Sequence, residues 1–92
     1  MKYKLHPHVL LERVAGQYLL IAYGEISDGL PLVTAINDTG AYFWGMLEQE
    51  LGWEEMLIKA SEEYDSTSVE IEAGLKVFIR ELENYGYINV EQ

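Results

Sequence analysis

The chain has 92 residues, with 16 acidic against 6 basic side chains and a net charge of −10. This length supports one domain with its own core, and the charge repels the phosphate backbone of DNA or RNA unless the cations gather on one face, so no nucleic-acid partner is expected. Cysteine is absent, which excludes disulfides, thiolate zinc sites and cysteine nucleophiles, and no apolar run reaches membrane-spanning length; a soluble, cytoplasmic protein without a membrane partner is expected.

Lys2 and Lys4 lead into His6-Pro7-His8. Proline holds its neighbours extended, so the two imidazoles would point the same way, but no further ligands accompany them. The reading is an exposed N-terminal segment with no metal. Val9 to Val14 and Tyr18 to Tyr23 are rich in β-branched, aromatic and aliphatic residues and flank Ala15-Gly16-Gln17, which predicts two antiparallel strands joined by a tight turn. Gly24 to Pro31 holds Ser27-Asp28-Gly29 before its proline and reads as a loop. Leu32 to Ile36 makes a third short strand.

After Asn37 the apolar period changes from two to about 3.6. Asn37 or Asp38 caps a first helix whose inner side holds Phe43, Trp44, Leu47 and Leu51. Trp53, Leu57, Ala60 and Tyr64 repeat the spacing in a second helix. Thr67 and Glu70 have the spacing of a capping box and open a third, with Ile71, Leu75, Phe78, Leu82 and Tyr85 as its buried stripe and Gly86 as its left-handed stop. Tyr87 to Val90 is extended. Residues 1–92 thus form one α+β domain, winged-helix-like: a three-stranded antiparallel sheet, then three helices and a short terminal extended segment.

The stretch Asn37-Asp38-Thr39-Gly40-Ala41 with Trp44 can be read in two ways. Asp38-Thr39-Gly40 after an apolar strand is similar to the active-site turn of a retropepsin, which needs an aspartate dyad from two all-β halves. Helical periodicity after Asp38 disfavours that reading. The alternative is a resemblance to the PqqD-like family, the RiPP recognition elements, carried by Leu32 to Ile36, Asn37, Thr39-Gly40-Ala41 and Trp44. It continues through Trp53-Glu54-Glu55, Glu62-Glu63-Tyr64-Asp65 and the Phe78, Leu82, Gly86 ending. Asn37-Asp38-Thr39-Gly40 departs from the Asn-Pro-Thr-Ala typical of the quinone-cofactor members. A winged-helix DNA-binding regulator is a further alternative, supported by helix order alone and opposed by the net charge.

The resemblance implies a protein without catalytic residues or cofactor, which binds the leader of a ribosomally made precursor peptide and presents it to a modifying enzyme, often a radical S-adenosylmethionine enzyme. The leader would add a strand in a groove between the third strand and the third helix. Carried over, the strand is Leu32, Val33, Thr34, Ala35 and Ile36, and the helix wall is drawn from Val69, Ala73, Lys76, Val77 and Arg80. Lys76 and Arg80 lie opposite the predicted buried stripe and would suit an acidic leader, unless they form an ordinary solvated face with Glu72-Lys76 as an i,i+4 pair. Tyr42, Phe43, Trp44 and Trp53 are assigned to packing.

Overall fold

The computed structural model describes residues 2–23 and 32–91, so the loop expected at 24–31 lies outside the described residues. Five strands and three helices follow in the order β1 (Lys2–Leu5), β2 (Val9–Val14), β3 (Gln17–Ala22), β4 (Val33–Ile36), α1 (Asp38–Glu48), α2 (Trp53–Glu63), α3 (Ser68–Tyr85) and β5 (Ile88–Glu91). The α+β class and the three-stranded sheet, order β2-β3-β4, agree with the sequence reading. One element was not expected. Residues 2–5 form a strand that pairs antiparallel with β5, Tyr3 opposite Val90 and Leu5 opposite Ile88, making a separate two-stranded ribbon.

The β2–β3 hairpin turns on Ala15 and Gly16, whose φ values of 52° and 80° are the pair of left-handed conformations that match the twist of its strands. Leu20 is buried on the inner face of the sheet, and Thr34 stands opposite it on β4. The segment between β1 and β2 is a turn, not an extended run: the Val9 N–H donates to the His6 carbonyl at 3.2 Å, and the His8 N–H donates to His6 Nδ1 at 3.0 Å. That bond occupies one imidazole nitrogen. No cluster of metal-ligating side chains occurs among the described residues, and no helix of the described residues is long and apolar enough to cross a membrane.

Asn37, and not Asp38, is the N-cap of α1, its Oδ1 accepting the Gly40 N–H at 2.7 Å. At α3 the Thr67 hydroxyl accepts the Glu70 N–H at 3.2 Å, so the Thr67 half of the expected capping box forms. Gly86 ends the helix with φ 82°. The helices pack Phe43, Trp44, Met46, Leu47, Met56, Ala60, Ile71, Leu75, Ile79 and Leu82 into one core with Leu20, Tyr87 and Ile88. Ile79 replaces Phe78 at the centre of the α3 stripe, and Phe78 is half-buried with its ring 5.8 Å from that of Phe43. Met56 does the same for Leu57 on α2.

Candidate functional site

β4 is an edge strand: among the described residues it pairs only with β3. Its hydrogen-bond parity is set by the Ala22 N–H, which donates to the Leu32 carbonyl at 2.9 Å. Residues 22 and 32 are therefore a hydrogen-bonded pair, and alternation along an antiparallel ladder makes 20 with 34 and 18 with 36 the next ones. The backbone groups of Thr34 and Ile36 consequently turn toward β3, and those of Val33 and Ala35 turn outward. An outward N–H and C=O on alternate residues is what a further strand pairs with.

The Thr34 side chain is tied from beneath. Its Oγ1 lies 2.9 Å from the hydroxyl of Tyr87, a fully buried residue at the end of α3. This contact anchors the edge strand to the core from the opposite end of the sequence. Val33 and Leu32 are largely exposed, at 57% and 69%, beside the outward edge.

Where β4 passes into α1, two hollows meet. One of about 420 Å³ runs under Ala35 and Ile36 and is bounded by Gln17, Tyr18 and Asp38; the other, about 270 Å³, lies between the first turn of α1 and α3. Asn37 and Thr39 line both. The α3 wall of the second hollow is Gly74, Val77, Phe78 and Glu81, a stripe spaced i, i+3, i+4 and i+7. Gly40 permits the close approach of the two helices, since a Cβ there would stand 3.1 Å from the Phe78 ring and 3.3 Å from Ile36 Cβ. A Cβ at Gly74 would meet nothing within 4 Å, so the wall is open at that point.

The ten residues expected at the site are thus not all together. Leu32 to Ile36 form the edge, and Val77 stands in the hollow beside it. Val69 and Ala73 are exposed on α3 and line neither hollow. Lys76 and Arg80 lie around the helix on its other side, in a separate hollow with Tyr3, Trp53, Ile79, Glu83 and Val90. Lys76 bridges to Glu72 at 3.2 Å, the i,i+4 pair anticipated from the spacing. Burial, and then the charge of Glu83, raises the Tyr3 hydroxyl above its ordinary pKa of 10.0. Among the described residues no cation lines either hollow at the β4 end, where Asp38 and Glu81 supply the charge. The sequence reading missed Asn37, Thr39, Gly74 and Glu81 as groove residues. The spacing of Gly74, Val77, Phe78 and Glu81 was available as a signal, but periodicity does not say which neighbour a stripe faces.

Comparison with known proteins places the chain in a family and agrees with its fold. The family model described as coenzyme PQQ synthesis protein D (PqqD) matches residues 31–88, the span from β4 to the first residue of β5. The chain belongs to the PqqD family. Among solved structures it is similar to TbiB1 in complex with the TbiA(beta) leader peptide, with 19% identity, coverage of 97% of this chain and 98% of that one, and a TM-score of 0.77. A comparison with curated protein sequences found no match.

Proposed function

We propose that this chain is a non-catalytic recognition domain that binds the leader of a ribosomally made precursor peptide as an added strand on β4. The observation that carries this reading is the unpaired β4 edge, with Val33 and Ala35 turned outward beside the Gly74-Val77-Phe78-Glu81 wall. Family membership supports it, and so does the leader peptide held by the similarly folded TbiB1. Backbone pairing on the edge supplies affinity that is indifferent to sequence, and the hollows on either side of Asn37 and Thr39 select alternate side chains of the peptide. Asp38 and Glu81 at that end favour a neutral or basic leader segment there.

Binding would serve a modifying enzyme, a radical S-adenosylmethionine enzyme or another peptide-modifying one, by holding the core segment of the precursor within its reach. The gain is one of effective concentration. Asp38 has no part in catalysis in this reading; it occupies the first turn of α1.

The test takes its probe from a search of the neighbouring genes for a short precursor, whose leader half is labelled and titrated by fluorescence anisotropy. Ala35→Pro removes an outward N–H from an edge strand, where proline is tolerated, and should weaken binding about tenfold with the fold intact. Thr34→Pro removes an N–H directed at β3 and should unfold or strongly destabilise the protein. Gly74→Leu projects into open space in the wall and should also weaken binding without loss of stability. Wild-type affinity in both Ala35→Pro and Gly74→Leu, with both proteins folded, would remove the leader from this groove.

A further inference from the structure

The hollow on the other side of α3 has a different character. It measures about 340 Å³, and its floor is the ring of Trp53 with Tyr3, Ile79 and Val90. Lys76 and Arg80 stand along its rim on one turn of α3, with Glu83 the only carboxylate among the described residues of the lining. Arg80 is exposed and makes no ion pair among the described residues.

The charge around it is unlike that of the rest of the molecule. With Lys2 and Lys4 on neighbouring β1, this end gathers four of the six cations, interspersed with Glu50, Glu55, Glu72, Glu83 and Glu91. Most of the net charge of −10 therefore belongs to the remaining surface. An acidic partner is repelled far more over that surface than here. Trp, Tyr and Arg at a partly exposed apolar hollow are also the residue types that concentrate binding energy in protein interfaces.

We propose that this hollow docks an acidic segment of a partner protein, seated by one aromatic or large aliphatic side chain against Trp53 and Tyr3 and by its carboxylates at Arg80 and Lys76. The site stands independently of what occupies β4. Because Lys76 and Arg80 lie across α3 from Gly74 and Val77, a peptide on the β4 edge leaves the hollow open. A partner acting on that peptide then binds the same domain at the same time, and the two ligands do not compete.

The two tryptophans provide the readout. Trp53 is half-buried in the hollow, and Trp44 is 1% exposed in the core, so the indole N–H resonance of Trp44 is an internal control. The full chain labelled with ¹⁵N-tryptophan is titrated with the capped peptide acetyl-Glu-Asp-Phe-Asp-Glu-amide and with its basic counterpart acetyl-Lys-Lys-Phe-Lys-Lys-amide. The Trp53 resonance should move saturably with the acidic peptide, and the Trp44 resonance should stay fixed. The basic peptide should bind at least fivefold more weakly. Lys76→Gln with Arg80→Gln should weaken the acidic peptide about fivefold, the scale of two rim charges, with Tm unchanged. Gly74→Leu should leave this titration as in the wild type, which separates failure here from failure of the leader reading. A fixed Trp53 resonance, equal response to the two peptides, or full response in the double variant would overturn the proposal. So would a Trp53 shift on raising protein concentration alone with a doubled mass in sedimentation, because a second copy would then be the occupant.

Discussion

Removing the side chain of Asn37 and removing that of Asp38 should have very different consequences, although the two residues are adjacent and both are common capping types. Asn37 Oδ1 accepts the Gly40 N–H at 2.7 Å, and Gly40 is itself buried between Ile36 and Phe78, so water cannot readily take over the bond in Asn37→Ala. Lost caps cost about 1 kcal/mol, and a buried orphan N–H moves this one toward 2 kcal/mol. For a domain of this size each 1 kcal/mol lowers Tm by about 4–8 °C. Asp38 is exposed at the first position of α1 and accepts no hydrogen bond among the described residues. Its carboxylate acts through the helix dipole alone, and its removal also relieves repulsion in a chain of charge −10, so Asp38→Ala should cost no more than about 0.5 kcal/mol. Urea unfolding followed by the emission of buried Trp44 measures both, with equal m-values as the check that the midpoints are comparable. Salt should reduce the Asp38 effect and leave the Asn37 effect in place, and Asn37→Asp should restore most of the cap. Equal losses in the two alanine variants would refute the assignment. Acid protease activity that disappeared in Asp38→Ala would refute it more severely, because the catalytic turn would then be real.

Tyr87→Phe deletes the hydroxyl that meets Thr34 Oγ1 and should cost about 1 kcal/mol; amide exchange at β4 should quicken more than at the middle of α3, and unchanged β4 exchange would show that the contact does not hold the edge. The raised pKa of Tyr3 makes alkaline stability a second measurement. The unfolded chain loses the Tyr3 proton at the ordinary value of 10.0 and the folded chain only above it, so the stability this tyrosine contributes is complete below pH 10 and falls as pH rises through the folded value. Urea midpoints taken below and above pH 10 should therefore decline less steeply in Tyr3→Phe than in the wild type, and identical slopes would exclude the burial of Tyr3 as a source of the decline.

The features legible in the sequence were those whose causes are local. Thr67 before a helical period, Gly86 after it and the Ala15-Gly16 turn each act within one turn of chain, and each lies where the sequence places it. Strand β1 was not legible because Lys2-Tyr3-Lys4-Leu5 is short and carries no turn signal toward its partner; it becomes a strand only when β5, from the other end of the chain, supplies the ladder. The angular projection of α3 correctly set Lys76 and Arg80 away from the core, but a helix has two flanks beside its buried stripe. Which flank meets α1 and which meets β1 and α2 depends on tertiary packing, so Val77 and Arg80 were joined in one wall when they belong to two. Hydrogen-bond parity on β4 was illegible for a similar reason. Either phase satisfies the alternation of side chains, and the register with β3 alone decides that Ala35 presents its N–H outward.

A winged-helix regulator would place a helix in a DNA groove, and the charges of α3 oppose that use in this chain. A recognition helix must bring cations to phosphates and hydrogen-bonding side chains to base edges. Here α3 carries Glu70, Glu72, Glu81 and Glu83 against Lys76 and Arg80, and the lysine is already bridged to Glu72. Glu72 and Glu83 stand beside Lys76 and Arg80 on that side of α3, so an approach that presents both cations to a duplex carries carboxylates toward the phosphates. A peptide imposes no such requirement. Bound as proposed, it would pair with backbone at the β4 edge, need only apolar contacts and open space from the Gly74-Val77-Phe78 stripe, and gain from a carboxylate wherever its own side chains are basic. The distribution of charge around one helix thus favours the proposed use over the alternative.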